Sequence, residues 1–283
     1  MRFAGPLTVR GLVRRSGLQV LGTWLMVVVE VGLIALIPLF LGRAIDKLLD
    51  DAHHAALFEL GVLFFVLIVV AVLRRIYDTR IYGTMRVKLG VELAERSRGK
   101  PLSQTNARVT MSREIVDFLE DHTPRLITNV IGVLLSVLIL FSFDLWLGVF
   151  SIAAVVTMLV TYLLFHRYFY RLNTTLNGAL EGQVDALKTR QTQAIATLLA
   201  RVRGSEVRLS DANAALYGLV FIGMFGLILA NLWIASNLPA ITVGAIFAIL
   251  SYSWEVVESS TELPDTLQQW TRLTEIQGRI NLD

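Results

Sequence analysis

The stretch "LMVVVEVGLIALIPLF", residues 25–40, places one carboxylate, Glu30, in the middle of a run otherwise apolar enough to cross a bilayer. A helix needs about 17 to 25 predominantly apolar residues to cover a hydrocarbon core roughly 30 Å thick, and the run around Glu30 extends over residues 18–41. Five more such runs occur at 57–73, 126–143, 145–165, 216–236 and 240–257. The pattern predicts an all-α membrane protein with six transmembrane helices. Composition agrees: 54% of the residues are hydrophobic and 17% charged, with a mean hydropathy of +0.61, beyond what soluble domains show. The first run is too long for the apolar core of a signal peptide and lacks a small-residue cleavage site, so no cleavable leader is expected.

The formal net charge of +3 would suit a nucleic-acid partner, but the basic residues are sorted by membrane side. Of the 26 Lys and Arg, only Arg43 and Lys47 lie across the membrane from the N-terminus. Lys and Arg stay cytoplasmic during insertion, so both termini are expected in the cytoplasm of a multi-pass protein in a bacterial inner membrane. The far-side connections are short: an acidic loop at 46–56, Asp144 alone, and Asn237-Leu238-Pro239. The acids Glu92, Glu95, Glu114, Asp117 and Glu120 alternate with the inner bases, which describes a solvated helical surface and argues against nucleic acid.

The two inner connections, 74–125 and 167–208, are helical in pattern. Ile81, Met85, Leu89 and Leu93 in one, and Leu180, Val184 and Leu187 in the other, recur at helical spacing with charges between. They read as legs that leave the bilayer and fold back, reaching roughly 30 Å into the cytoplasm per 20 residues. The first bend is expected at Gly99-Lys100-Pro101, where Gly and Pro stop a helix. The second falls between Asn177 and Arg190, with Gly178 and Gly182 as hinges and Gly204-Ser205 as a competing break. Residues 1–17 form a basic amphipathic elbow whose Arg10, Arg14 and Arg15 meet anionic lipid.

Several segments resemble the transmembrane domain of ATP-binding-cassette exporters, the type I exporter fold. Pro38 with "LFLGRAIDKLL" (39–49) is similar to the outer end of that family's first span, "RIYGTMRVKLGVELAERSRGKPLS" (80–103) to the approach to its first coupling helix, and "SREIVDFLED" (112–121) to the segment just beyond that helix. "ITVGAIFAILSYSWEVVESSTELPDTLQQW" (241–270) resembles its last span, and "IQGRINLD" (276–283) the start of its linker to a nucleotide-binding domain. The resemblance divides the chain into the elbow, a six-helix domain at 18–258 and a helical tail at 259–283. It implies a homodimer with one hairpin exchanged between subunits and a cavity between two sets of six helices. It also implies an ATPase partner docking on the bends, at Lys100, Pro101, Leu102, Ser103 and Gln104 and at Gly178, Glu181 and Gly182. Where the family carries an aromatic pair and a Gly at the first coupling region, this chain has Ser103-Gln104-Thr105 and Val109-Thr110.

No phosphate-cradling G-x-x-x-x-G-K-[ST] loop or "SGGQ"-like signature occurs, and no catalytic constellation or dinucleotide fingerprint is present, so an enzyme is not expected and ATP would act only through a partner subunit. Absence of cysteine removes disulfides, thiolate nucleophiles and sulfur-ligated metals. "DDAHH" (50–54) has metal-ligand residue types, but adjacent histidines rarely share one centre; a hydrated loop is the better reading. His122 and His166 read as interfacial residues.

The intramembrane acids remain. Counted from Val20, Glu30 lies about 15 Å deep, near the midplane. An ionised group there costs several kcal/mol unless it faces a cavity or a partner. In the last span Gly244, Ala248, Ser251, Glu255, Glu258 and Glu262 share one small and polar stripe. The site expected is an inward-opening cavity lined by Glu30 and Glu255, with Ser251, Tyr252 and Asn231, that takes a cationic or amphipathic small molecule. The competing reading puts the three glutamates on a solvated cytoplasmic extension. Gly226 with Ala230, and Gly244 with Ala248, would permit close helix packing, between subunits or within one. Three functions compete: an ABC-type transporter driven by a separate ATPase subunit, an ATP-independent carrier using its carboxylates, and a membrane scaffold or regulatory protein.

Overall fold

The computed structural model describes residues 17–50, 53–99, 102–181 and 191–281, and all regular structure among them is helical. In chain order the helices are α1 (Gly17–Leu49), α2 (His53–Arg96), α3 (Leu102–Asp117), α4 (Thr123–Phe143), α5 (Leu145–Glu181), α6 (Thr192–Ser236) and α7 (Val243–Asn281), with a π-helical turn, Phe118–His122, between α3 and α4. At 1.5 Å per residue the 44 residues of α2 extend about 66 Å, roughly twice a hydrocarbon core. α2 is thus a membrane helix and a leg in one piece.

Local chemistry fixes the ends. Ser97 and Arg98 close the last turn of α2 onto the Leu93 and Glu95 carbonyls, and Gly99 comes next at φ +92°, a left-handed conformation that glycine adopts without strain. Lys100 and Pro101 lie outside the described residues, and α3 starts directly after them. Asp144 alone separates α4 from α5: its backbone is extended and its carboxylate accepts the Trp146 N–H at 2.8 Å, as an N-cap does. α6 runs unbroken through Gly204-Ser205, so that competing break is not used. α5 ends at Glu181, and Gly182 with the rest of the second bend lies outside the described residues.

The chain divides into two compact units, residues 1–148 with 234–283, and residues 149–233. In the first unit α1 packs against α2, α4 and α7, α4 lies along α7, and α3 folds back on α2. Its core joins Val20 of α1 to Tyr82, Met85, Leu89 and Leu93 of α2, and to Ile115, Val116, Phe118 and Leu119 of the returning segment. The end of this unit that carries the short turns is the turn end, and the opposite one the leg end. The second unit contains most of α5 and α6. There Asn231 and Ser151, both fully buried, are joined by a hydrogen bond of 3.3 Å.

Five helical stretches among the described residues are long and apolar enough to cross a membrane, in α1, α2, α4, α5 and α6. The sequence reading expects a sixth in α7. Glu255 and Glu258 interrupt its apolar run, yet α7 lies beside α1 at Gly244 and beside α4 at Glu262, so it traverses the same layer as they do.

Candidate functional site

Glu30 has a counterion that the sequence reading did not give it. Arg74, the first residue after the second apolar run, brings Nε to 2.5 Å from Glu30 Oε2 and Nη2 to 3.5 Å from Oε1. The same guanidinium reaches Asp78 Oδ2 at 3.4 Å, one turn further along α2. This corrects the depth of Glu30. Val20 packs among Tyr82, Met85 and Leu89 of the leg, so α1 begins below the bilayer, and counting from Val20 overstates the depth by those turns. Glu30 sits level with Arg74 at the inner boundary of the apolar layer, where an ion pair meets enough solvent to be retained.

Around this pair opens a cleft of about 310 Å³, lined by α1, α2, the π-helical turn, α4 and α7. Its charged residues are Glu30, Asp78, Glu120, Asp121 and Glu262 against Arg74, Arg75 and Arg125. Two of the acids are held from outside the cleft or across it. Glu120 and Asp117 share Arg86, whose Nε donates to Asp117 at 2.7 Å and whose Nη2 contacts Glu120. Glu262 accepts the Asn129 amide at 3.1 Å. Glu258, beside its own Trp254, and Glu262 are both exposed, as the solvated-extension reading expects, and Glu262 in addition borders the cleft.

A second pocket of about 190 Å³ lies between α1, α4 and α7 and contains Glu255, Ser251 and Tyr252, with Gly132 and Ser136 opposite. Val31, Ile34 and Thr128 line both pockets. Glu255 accepts the Ser259 hydroxyl at 2.7 Å. Ser251 donates to the Phe247 carbonyl of its own helix. Tyr252 is tied to the backbone: its hydroxyl donates to the Ala35 carbonyl at 2.5 Å, beside the helix turn where Pro38 has no N–H to offer. Its buried ring thus serves α1 packing first and the pocket second.

The expected constellation is therefore split. Glu30 faces the leg-end cleft, while Glu255, Ser251 and Tyr252 share the adjoining pocket. Asn231 belongs to the other unit and spends its amide on Ser151. Among the docking residues, Leu102 is 89% exposed at the start of α3, and Gly178 is in α5. Ser103, Gln104 and Glu181 lie in helices without described side chains, and Lys100, Pro101 and Gly182 are outside the described residues. Sequence reading missed Arg74, Asp78, Asn129 and the tie that Glu262 makes. An Arg and an Asp at i, i+4 just past an apolar run was the available signal. Among the described residues no group of His, Asp and Glu could hold a metal ion, and His122 packs on Phe118, ring centroids 5.5 Å apart.

At the turn end α1 and α7 are joined by different means. Asp46 Oδ1 accepts the Gly244 N–H at 2.8 Å and Oδ2 the Thr242 hydroxyl at 2.7 Å, while Thr242 Oγ1 accepts the Ala245 N–H at 3.1 Å. Gly42 and Gly244 meet backbone to backbone. Gly244, one of the small residues considered for subunit contact, is thus used within the chain. Gly226 and Ala230 line an apolar groove of about 430 Å³ in the other unit, between α5 and α6.

The sequence family described as ABC transporter transmembrane region matches residues 10–244 of this chain. The chain belongs to that family. No curated protein matches it. An ABC transporter transmembrane region is a multi-pass membrane subunit of a transporter, and in this one α1 and α7 meet backbone to backbone at one end of the bundle, with a charged cleft at the other.

Proposed function

We propose that two copies of this chain form the membrane pathway of a small-molecule transporter that alternates access to a central cavity in a bacterial inner membrane, with both termini cytoplasmic. The observation that carries this reading is the charged cleft at the leg end of a bundle whose α1 and α7 meet backbone to backbone at the turn end, in a chain of the ABC transmembrane family. The groove lined by Gly226, Ala230 and other small residues of α5 and α6 suits a helix from a second copy, since small residues let helices approach closely. A nucleotide-binding partner would dock on the bends near Leu102 and Gly178 and supply ATP hydrolysis, and this chain itself would be no enzyme.

An ATP-independent carrier is the second reading, favoured by the absence of the aromatic pair from the first coupling region, where Ser103-Gln104-Thr105 stands. Solute flux into proteoliposomes of the purified chain, with and without an ATP-binding subunit captured from the same cells, separates the two. Flux that requires ATP and the subunit supports the first; flux without either supports the second; no flux in both arms removes the transport reading. Mass measurement in nanodiscs checks the dimer, and a monomer alone contradicts it.

A further inference from the structure

We propose that α1 is hinged between Ile34 and Leu39 and that the Tyr252 hydroxyl of α7 is the latch of this hinge. Bonded to the Ala35 carbonyl, the hydroxyl holds α1 in the conformation of the structure; released, it lets the inner half of the helix move toward the pocket beside Glu255. The inference concerns a movement within one chain and stands whether or not a solute is carried.

Two consecutive rungs of the α1 hydrogen-bond ladder are weakened at this point. Pro38 lies inside the helix and has no N–H, so the Ile34 carbonyl lacks its donor four residues on. The next carbonyl, that of Ala35, accepts the Tyr252 hydroxyl at 2.5 Å, and the Leu39 N–H, its ordinary helical partner, also bonds the hydroxyl oxygen. Helices bend at a proline or where a side chain enters the ladder, and here both coincide. Tyr252 is 1% exposed, and a buried tyrosine hydroxyl needs a partner. Should it leave Ala35, acceptors are at hand: Glu255 and Ser136 line the pocket that Tyr252, Ala35 and Pro38 also line.

The two halves of α1 are anchored to different helices. On the inner half the Tyr77 hydroxyl donates to the Gln19 carbonyl at 3.2 Å, Val20 belongs to the core of the leg, and Glu30 pairs with Arg74, all against α2. On the outer half Gly42 meets Gly244 and Asp46 accepts the Gly244 N–H, both on α7. Lys47 adds an ion pair with Glu59 of α2 at 3.8 Å, but an exposed pair of that length holds little. Movement of the α2 leg relative to α7 therefore falls on α1 between Glu30 and Gly42, and the turn from Ile34 to Leu39 is where its backbone resists least. The pocket of about 190 Å³, bordered by Val31, Ile34, Ala35 and Pro38, gives α1 the space.

The test reads distances between spin labels in the full chain in nanodiscs; the chain has no cysteine of its own. One pair, Leu21→Cys with Glu258→Cys, joins the inner half of α1 to α7. A second pair, Leu48→Cys with Leu145→Cys, stays at the turn end, and all four positions are exposed. Labelled chain is diluted with unlabelled chain so that only distances within one chain are read. Tyr252→Phe removes the hydroxyl and keeps the ring. It is expected to raise the ratio of a second inner distance to the main one about fivefold, the effect of one neutral hydrogen bond, and to leave the turn-end distance unchanged. Pro38→Ala returns an N–H to the Ile34 carbonyl, so it is expected to leave one narrow inner distance and to suppress the effect of Tyr252→Phe in the double variant. A tyrosine that only fills space would show no such dependence on the proline. An inner distance unchanged by Tyr252→Phe, an equal change at both pairs, or an effect that persists with Pro38→Ala overturns the proposal. Should Tyr252→Phe fail to fold, Pro38→Ala is read alone: a narrowed inner distribution supports the hinge, and an unchanged one overturns it.

Discussion

At the turn end of the first unit α1 and α7 touch through bare backbone, whereas toward the leg end charged side chains of the same bundle border a cleft beside the apolar core. Gly42 and Gly244 leave no space for a methyl group, and Asp46 caps the start of α7. Further along α7, roughly 16 Å and then 27 Å from Gly244 at 1.5 Å per residue, Glu255 and Glu262 border open pockets. Backbone contact is short-ranged and cannot be adjusted; long ionic side chains beside a cleft can swing and exchange partners. The α1–α7 contact is therefore the stiff one, and the walls of the cleft and of the pocket beside Glu255 are the remodellable ones.

The sharpest way to break this contrast is Gly244→Ala. The new Cβ would fall 1.9 Å from the Gly42 carbonyl oxygen and 2.7 Å from Asp46 Oδ2, so a helix has to move. Ala gains about 1 kcal/mol of helix propensity over Gly, but overpacking costs about 1 to 3 kcal/mol even against side chains, and here the obstacle is backbone. A marked fall in thermal midpoint in detergent is expected. Gly32→Ala, with nothing within 4 Å of its Cβ, is the matched control and should leave the midpoint unchanged or raise it.

Asp46→Ala comes next. It removes acceptors from the Gly244 N–H and the Thr242 hydroxyl, and the loss of a helix-start acceptor costs about 1 to 2 kcal/mol. Asp46→Asn keeps one acceptor oxygen and should recover part of that loss. A thermal shift equal for Ala and Asn would show that the carboxylate charge, and not the hydrogen bonds, holds the turn end.

These two ends were not equally legible in the sequence. Apolar runs of membrane length located the helices, and Gly99 and Asp144 marked ends that need a left-handed residue and a side-chain cap. Those are local signals. The partner of Glu30 is 44 positions away, and nothing local to either residue tells that Arg74 faces α1. Depth failed for a related reason: counting along α1 assumed that its apolar start was in lipid, whereas Val20 is apolar because it packs against the leg. Apolar residues satisfy protein and hydrocarbon alike, so hydropathy cannot separate a buried leg from a membrane span. The stripe on α7 was legible as a shared face, since Gly244, Glu255 and Glu262 all turn toward α1 or α4. Which of its residues meet Gly42, which meet Gly132 and which meet Asn129 depends on the helix crossing, information carried by the tertiary contacts alone.

The leg end is tested by Glu30→Gln. Removing the charge leaves Arg74 with Asp78 as its remaining carboxylate, and a charged hydrogen bond of this kind is worth about 1.5 to 3 kcal/mol, reduced because both side chains keep some solvent contact. A double-mutant cycle with Arg74→Met isolates the pair. Coupling of about 1 kcal/mol is expected. Zero coupling would mean that Arg74 serves Asp78 alone and that the remodellable end does not depend on Glu30.

Gly132→Ala should have the smallest effect on stability, and it sharpens the contrast most. Its Cβ would approach Glu255 Oε1 to 2.8 Å and Ser259 Oγ to 3.0 Å, again too close to stand without a shift. The obstacles are the movable tip of a glutamate and a hydroxyl, however, and a carboxylate beside an open pocket can turn away at little cost, within about 1 kcal/mol. The thermal midpoint is expected to stay close to that of the unaltered chain, while the displaced Glu255 and the added methyl narrow the pocket of about 190 Å³. A glycine whose replacement unfolds the chain here, as at Gly244, would show that the leg end is as rigid as the turn end, and the asymmetry on which an opening toward the legs depends would be lost.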